Sequence, residues 1–462
     1  MSDKQFVLYD HQKPIQLQAE RVSLYMQSEI IEAVSENHDM YYLFFYKSHY
    51  LTAVKAKKVR RQSYVEFAFK KGMVYNAPHP FIHVLLSSNN PCKIVSYKPL
   101  LKKLDSNYTP QEKAFILTFF ESFIPKKHLF NEIKSIFYVY RRNGQSFLGY
   151  QILRILMDFA PNHSLVKQLP KDSIFDKYAI LYNDKSEEIF TKDSIYAEKI
   201  LYNQKEDDHC FQQLVARLEK ESRWIDLIAL YSYKLTATPS NEYYHSLLTL
   251  LEQYAKENDM VNILEVINSQ IPTFPPLKQD LFNKYVETHN TEKVVHMLNN
   301  QDLQLTESQV QTIGDMLDDT KAYSIHPEML PTLLSPVMDE FPDKAQKFLH
   351  KYVILLMRTQ ELKHIKAILN PFKGNHKTHQ LYRKIDTMHK LTDDLDQMQR
   401  LGELYYEFRQ MESAIECFSW EMELKPNDPK PLQWLSKTYR EMGMKHESDA
   451  YQQLCVNLQK RA

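Results

Sequence analysis

Six residues near the end of the chain follow a spacing that strongly restricts how the segment can fold. At offsets 0, 1, 4, 13, 17 and 25 the sequence places Leu401, Gly402, Tyr405, Ala414, Phe418 and Pro426. The small residues Gly402 and Ala414 allow two helices to approach closely, and Pro426 ends the second helix. Tyr405 and Phe418 would fill the gaps between neighbouring helix pairs. The spacing therefore predicts a helical hairpin that stacks on others of its kind.

This spacing resembles the tetratricopeptide repeat, a 34-residue helix–turn–helix unit. Glu421 departs from the family pattern, which has a small alanine at that position. The next unit keeps the 34-residue register through Leu435, Ser436 and Tyr439, with Ser448 where alanine is usual. The resemblance implies an α-solenoid, in which each hairpin contacts its neighbours.

Weaker copies of the same skeleton occur upstream, with larger residues in place of the glycine and the alanine. Two of them are Leu214, Leu218, Leu227, Tyr231 and Pro239, and then Leu250, Tyr254, Ile263, Ile267 and Pro275. A third follows at Leu281, Tyr285, Val294 and Leu298, and a faint one at Tyr352, Leu356, Ile365 and Leu369. The resemblance is clear over about 395–455 and degenerate over about 205–300.

Glycine is scarce, with 7 residues in 462, whereas about 7% of residues is usual. Phosphate-binding loops and tight hairpins depend on glycine, so this composition favours helices joined by other turns. Capping residues and apolar periodicity predict helices beginning at Thr109 and within 145–161.

The first hundred residues differ from the rest, because they contain short runs rich in Tyr, Phe, Val and Ile. We predict strands in Met40–Ala56, Ser63–Phe69 and Lys93–Tyr97, and a helix packed on the sheet as one interpretation of Glu20–Asn37. The predicted fold is mainly α, a tetratricopeptide-like solenoid preceded by a small strand-rich α+β domain. The expected domains are a basic strand-rich domain over 1–105, a helical linker with early repeats over 106–204, degenerate repeats over 205–380, and C-terminal repeats with a cap over 381–462.

No residue pattern predicts catalysis, a cofactor or a metal. Gly144 and Gly149 lack the Lys-Ser/Thr of a phosphate loop, and no pair of histidines four residues apart has the glutamate between them that a zinc hydrolase requires. The four cysteines form no Cys-x-x-Cys pair, which favours a reducing compartment. Neither a signal peptide nor a membrane-length apolar run is evident. We therefore expect a cytoplasmic, non-enzymatic protein with no membrane contact.

Charge is unevenly distributed although the net charge is zero. Residues 1–150 hold 21 basic and 12 acidic residues, a net of +9. Since the whole chain has 58 of each, residues 151–462 hold 37 basic and 46 acidic residues, a net of −9. Part of the excess forms a basic patch: Lys55, Lys57, Lys58, Arg60, Arg61, Lys70 and Lys71. With its interleaved aromatic residues, this patch has three open interpretations: nucleic-acid binding, docking on an acidic protein surface, or a solvated hairpin.

The concave face of such a solenoid is lined by the first helix of each unit, and it holds peptides or helices. On the clear repeats the face-lining positions are Gln399, Glu403, Tyr406, Glu407, Gln433, Lys437, Arg440 and Glu441. We therefore predict a scaffold or adaptor that binds a protein or peptide partner in the groove. The alternative is a peptide-responsive regulator whose basic N-terminal domain binds nucleic acid. The sequence leaves the oligomeric state open.

Overall fold

A computed structural model describes residues 5–56, 58–184, 187–299, 305–319 and 325–461. The chain divides into two compact units, Met1–Leu277 and Lys278–Ala462. The described part is mainly α, with strands confined to the start of the first unit. This confirms the predicted fold class, a helical solenoid-like chain preceded by strands.

The first unit begins with a six-stranded antiparallel sheet. Its strands are β1 (Gln5–Asp10), β2 (Lys13–Tyr25), β3 (Ser28–Ser35), β4 (Met40–Tyr46), β5 (His49–Ala56) and β6 (Met73–Asn76). Strands β1 to β5 form a meander, and β6 pairs with the second half of β2. Strands β3 and β4 are buried almost throughout, because both faces of the sheet are covered.

Helices make up the rest of the first unit. They are α1 (Tyr64–Lys71), α2 (Pro80–Ser88), α3 (Tyr97–Asn107), α4 (Pro110–Thr118), α5 (Lys126–Arg142), α6 (Ser146–Phe159), α7 (Ser164–Gln168), α8 (Asp176–Asn183), α9 (Glu187–Lys192), α10 (Ser194–Asn203), α11 (Asp208–Lys220), α12 (Trp224–Ala237), α13 (Asn241–Tyr254) and α14 (Glu257–Gln270). The predicted helix start at Thr109 is confirmed by a complete capping box with Glu112. The predicted helix within 145–161 is confirmed as α6.

Three local predictions in the first hundred residues are wrong. Glu20–Asn37 is not a helix but the β2–β3 hairpin, which turns at Met26 with a φ of 54°. In β3 the apolar pairs Ile30–Ile31 and Ala33–Val34 recur every three residues, because Glu29 and Glu32 are buried in the sheet, and this spacing is closer to that of a helix than to the alternation of a half-buried strand. Lys93–Tyr97 forms only a single bridge from Lys93 to Tyr9, and Tyr97 already begins α3.

Ser63–Phe69 is the third wrong prediction, since these residues belong to helix α1 rather than to a strand. The Ser63 hydroxyl caps the helix by accepting a hydrogen bond from the Glu66 N–H. The Glu66 carboxylate in turn accepts the Gln62 N–H and pairs with Lys70. Such capping outweighs the period-two alternation that predicts a strand.

A buried ion cluster joins the sheet to the helices within the first unit. The Arg223 guanidinium donates to both Glu198 oxygens at 2.8 and 2.7 Å and to Asp226 at 3.1 Å. It also donates to the Met26 carbonyl at the β2–β3 turn. Because Arg223 and both acids are at most 4% exposed, the positive charge is held by its partners rather than by water.

The second unit is helical within its described residues. Helix α15 (Pro275–Glu287) begins at the unit boundary, followed by α16 (Thr291–Asn299), α17 (Glu307–Asp319), α18 (Leu330–Glu340), α19 (Pro342–Leu356), α20 (Leu362–Leu369), α21 (His379–Leu391), α22 (Met398–Glu407), α23 (Met411–Leu424), α24 (Pro429–Glu441) and α25 (Lys445–Arg461). None of the described helices has the length and apolarity needed to cross a membrane.

The clear repeats form two helical hairpins, α22–α23 and α24–α25. A Cβ atom at Gly402 would lie 2.6 Å from the Phe418 ring, so glycine is what allows the helices of the first hairpin to pack. In the second hairpin Ser436 and Ser448 occupy the positions of Gly402 and Ala414, and their side chains are buried and hydrogen-bonded across the helices. The predicted close approach of paired helices is therefore confirmed.

The degenerate repeats also coincide with helix pairs, with one error of register. Leu214 and Leu218 on α11 and Leu227 and Tyr231 on α12 are buried, as their spacing predicts. Tyr254 on α13 is instead 44% exposed and stacks on Trp224. The positions chosen on α13 are therefore wrong, because its fully buried residues include Leu247 and Leu251, three residues earlier.

Candidate functional site

Three side chains from consecutive first helices meet on the surface of the C-terminal repeats. The Tyr406 ring on α22 contacts the Trp434 ring on α24 edge-on, with centroids 5.2 Å apart. The Lys437 ammonium lies 4.7 Å from the Tyr406 centroid and 4.4 Å from the Trp434 centroid. We call these three residues the aromatic–lysine cluster. It combines apolar ring surface with an exposed cation, a combination common at protein interfaces.

Contacts with Phe418 and Glu441 fix the orientation of the two rings of the cluster. Trp434 stacks on Phe418, a fully buried residue of the α22–α23 hairpin, with centroids 5.6 Å apart. The Tyr406 hydroxyl is hydrogen-bonded to Glu441, and burial together with this carboxylate raises the pKa of Tyr406. The rings are therefore fixed by the packing of the repeats and do not depend on a ligand for their orientation.

Gln399 and Glu403, which precede Tyr406 on α22, form a hydrogen-bonded pair. The Gln399 Nε2 donates to the Glu403 carboxylate at 2.9 Å. The Gln399 Oε1 is buried and has no hydrogen-bond partner among the described residues. An unpartnered buried oxygen of this kind has a free-energy cost, which a donor from a ligand or a water molecule would remove.

The remaining predicted groove residues do not form one continuous site. Glu407 forms an ion pair with Lys384 of α21. Arg440 donates to Gln452 of α25 at 3.0 Å, toward the second helix of its own hairpin. Gln433 is exposed. Among the predicted residues, the structure thus brings Tyr406 together with Lys437 and Glu441, and Gln399 together with Glu403. Glu407 and Arg440 instead interact with neighbouring helices.

Trp434 is the member of the cluster that sequence analysis missed. It directly precedes Leu435 and is one of 3 tryptophans in the chain. Its position is 34 residues after Arg400, next to the face positions that the repeat spacing selects. Counting one further helical position per repeat would have included it.

The basic patch does not provide the aromatic surfaces that its sequence suggests. Tyr64 is buried and stacks on Phe119, and Phe69 lies beneath the Arg21 guanidinium. Of the three interleaved rings only Phe67 is exposed, and Lys71 lies 5.3 Å from its centroid.

The described basic residues of the patch are exposed but are not all equivalent. Lys55 pairs with Asp39 at 2.6 Å and Lys70 pairs with Glu66, so two of the charges are partly neutralised. Lys58, Arg60 and Arg61 are exposed. Lys57 lies outside the described residues. In the described ranges, no group of three or more His, Cys, Asp or Glu side chains is arranged to hold a metal ion.

Comparisons with known proteins add little to this geometry. No family model matches the chain, and no curated protein matches it. Among solved structures, the chain is similar to one described as the structure of Naa15/Naa10 bound to HypK-THB, with 10% sequence identity and a TM-score of 0.21. The match covers 79% of this chain and spans 61% of the length of that one. A likeness this distant transfers no residue role, partner or activity.

Proposed function

We propose that this protein is a non-enzymatic scaffold whose C-terminal repeats bind a peptide segment or a partner helix. The observation that supports this proposal is the aromatic–lysine cluster of Tyr406, Trp434 and Lys437, which spans two adjacent first helices. Rigid aromatic residues beside a cation are typical of the few positions that dominate binding energy at interfaces. The location of this protein in the cytoplasm remains a prediction.

The chemistry of the face favours an internal segment over a chain terminus. Relatives of the tetratricopeptide type that clamp a C-terminal carboxylate use Lys and Asn at groove positions. Here those positions are occupied by Gln399 and Glu403, and a carboxylate would be repelled by Glu403. An internal segment instead offers apolar side chains for the rings and an acceptor for Lys437.

Site-specific crosslinking tests the proposal in the full-length chain. A photoreactive phenylalanine replaces Gln433, which is exposed beside the cluster on α24. In the matched control it replaces Trp420, which is 49% exposed on the second helix α23. We expect a discrete crosslinked adduct from position 433 in native cells and none from position 420.

Charge reversal at the cluster then assigns the adduct. Lys437→Glu should abolish the adduct formed at position 433, whereas Lys445→Glu, at the exposed start of α25, should leave it unchanged. Equal adducts from positions 433 and 420, or an adduct that persists in Lys437→Glu, would contradict binding at this face.

Nucleic-acid binding by the basic patch remains a prediction with weaker support. Its exposed cations, Lys58, Arg60 and Arg61, suit phosphate contacts, but the burial of Tyr64 removes a ring that stacking would use. A mobility shift with single-stranded DNA and RNA at low salt decides the question, because phosphate contacts are strongest there. Absence of any shift at low salt would exclude the regulator hypothesis.

A further inference from the structure

A cavity of about 760 Å³ lies within the first unit, at a distance in sequence from the repeat face described above. Its wall includes Lys71 of α1, Phe115 of α4, Arg154 of α6 and Ile195 of α10. Pockets that bind small molecules commonly enclose about 300–1,000 Å³. The cavity therefore has the size of a ligand site, and its wall comes from both the N-terminal region and the helices that follow it.

Arg154 is the best-placed polar group in this wall. Its guanidinium lies over the contacting rings of Tyr182 and Tyr196, with the central carbon 5.2 Å from each ring centroid. Among the described residues, no carboxylate oxygen lies within 4.0 Å of its nitrogens. A guanidinium has five N–H donors in a planar fork that matches an oxyanion. Arg154 is thus fixed in orientation by two rings and has its donors available to a ligand.

Apart from Lys71 and Asp193, the other charged side chains that line the cavity form ion pairs. Lys126 pairs with Glu121 at 3.1 Å, and Lys199 pairs with Asp158. Asp193 is 1% exposed and accepts hydrogen bonds from a tyrosine hydroxyl, a glutamine amide and a backbone N–H. Its oxygens are therefore already occupied. These acids do not offer a free carboxylate to a cation in the cavity.

The charged side chains of the wall whose hydrogen-bonding atoms remain available to a ligand are positive. Lys71 is exposed at the wall, over the ring of Phe67, and Arg154 lies deeper on α6. A cation would meet both of these groups, whereas an anion would be attracted by both. The electrostatics of the wall favour a ligand with a negative group.

Most of the remaining wall is apolar or aromatic. Phe115, Ile155, Phe159 and Ile195 line the cavity, and Tyr25 adds a ring with a hydroxyl group. Burial raises the pKa of Tyr25 to about 12, so its hydroxyl stays protonated and is able to donate a hydrogen bond. Apolar walls with a few fixed polar groups are typical of sites for small organic ligands.

We infer that this cavity binds a small organic anion, an apolar body that carries one oxyanion group such as a carboxylate or a phosphate. Arg154 binds the oxyanion, Lys71 adds a longer-range attraction, and the aromatic and aliphatic wall holds the body. This site is separate from the repeat face of the proposed function, so failure of one proposal would leave the other unaffected.

Two matched fluorescent probes test the inference with the full-length protein. Anilinonaphthalene sulfonate has an aromatic body with an oxyanion, and phenylnaphthylamine has a closely similar body without it. We expect saturable binding of both probes at one site. Arg154→Met should weaken sulfonate binding at least about tenfold, since hydrogen bonds to a charged group are lost, and should change phenylnaphthylamine binding less than about twofold.

Two further variants separate anion recognition from damage to the fold. Lys71→Gln changes an exposed residue and should weaken sulfonate binding about two- to threefold, less at high salt. Arg142→Gln, at the exposed end of α5, should change neither probe. Equal loss of both probes in Arg154→Met, or unchanged sulfonate binding in both cavity variants, would overturn the inference.

Competition then distinguishes the two sources of the oxyanion. Displacement of anilinonaphthalene sulfonate by octanoate assigns a carboxylate ligand, and displacement by octyl phosphate assigns a phosphate ligand. Each result supports the site and names its ligand class. Failure of both competitors at millimolar concentration would overturn the assignment of an apolar body bearing these oxyanions.

Discussion

The Glu421 carboxylate accepts a hydrogen bond from the backbone N–H of Gln399, with a distance of 3.2 Å from Oε2 to the nitrogen. Glu421 is on α23, and Gln399 is in the first turn of α22, so the bond joins the two helices of one hairpin. The first N–H groups of a helix have no partner within the helix, and a negative charge there is favourable. The residue that departs from the repeat pattern therefore caps the neighbouring helix.

Replacing Glu421 should destabilise the C-terminal hairpins even though the tetratricopeptide pattern has alanine at this position. Glu421→Ala removes the hydrogen bond to the Gln399 N–H and the ion pair with Lys425. Because the Glu421 side chain is 2% exposed, its truncation also leaves a cavity. We expect a loss of about 1–2 kcal/mol in the free energy of unfolding. Urea denaturation of the variant measures it, with Glu423→Ala, an exposed residue of the same helix, as the control. Equal stability of the two variants would contradict a capping role.

The glycine of the repeat pattern should be intolerant of even one methyl group. Gly402→Ala places a Cβ 2.6 Å from a ring carbon of Phe418, which is fully buried and not free to move aside. Overpacking costs about 1–3 kcal/mol, more than the gain of about 1 kcal/mol from helix propensity. Gly374→Ala is the matched control, since no atom lies within 4 Å of the added Cβ. Thermal melts should show a lower Tm for Gly402→Ala only; a Tm equal to wild type would show that the hairpin adjusts.

The helical repeats were predictable because their signal is local and periodic. Gly402, Ala414 and Phe418 lie within one hairpin, and their spacing determines which side chains face each other. The α13 error, in which Tyr254 replaced Leu251 as a core position, arose where no small residue fixed the register. Without the glycine and alanine the pattern gives the buried positions of α11 and α12 but misses those of α13, so its register is less certain there.

The strand-rich region and the sites were less predictable because they depend on distant contacts. Strand β3 is buried almost throughout, and its buried Glu29 and Glu32 replace the alternation of a half-exposed strand with a spacing of three residues that resembles a helix. Trp434 belongs to the candidate face only because Tyr406, 28 residues earlier, packs against it. Arg154 shows the same limit, because the rings that hold it are on α8 and α10.

The buried ion cluster should make Arg223 one of the most sensitive positions in the first unit. Arg223→Met leaves Glu198 and Asp226 without their cation in a site shielded from water. Removing one partner of a buried pair costs about 3–5 kcal/mol. Adding Glu198→Gln to this variant removes a buried charge, so the double variant should regain part of the loss. Urea midpoints of the two variants test this; a double variant less stable than Arg223→Met would contradict a charge-based explanation.

Because of Glu29, the free energy of unfolding of the first unit should decrease as pH rises. Its side chain is fully buried on β3, and burial, followed by repulsion from Asp226, raises its pKa to about 8. In the unfolded chain a glutamate titrates near pH 4.5. Between these two values the folded state holds a proton that the unfolded state has lost, so unfolding becomes easier as pH increases. The slope reaches at most about 1.4 kcal/mol per pH unit for one proton.

Glu29→Gln should remove this part of the pH dependence, because a neutral amide carries no titrating proton. The Ser48 N–H, which donates to both Glu29 oxygens, keeps an acceptor in the variant. We expect the urea midpoint of wild type to fall as pH rises from 6.5 to 8 and that of Glu29→Gln to fall less. This range lies above the window of His79, whose pKa is lowered by burial to about 3 and which affects stability below about pH 6.5. Glu36→Gln, an exposed residue just after β3, should keep the wild-type slope. Parallel pH profiles for wild type and Glu29→Gln would show that Glu29 titrates near its ordinary pKa in the folded protein.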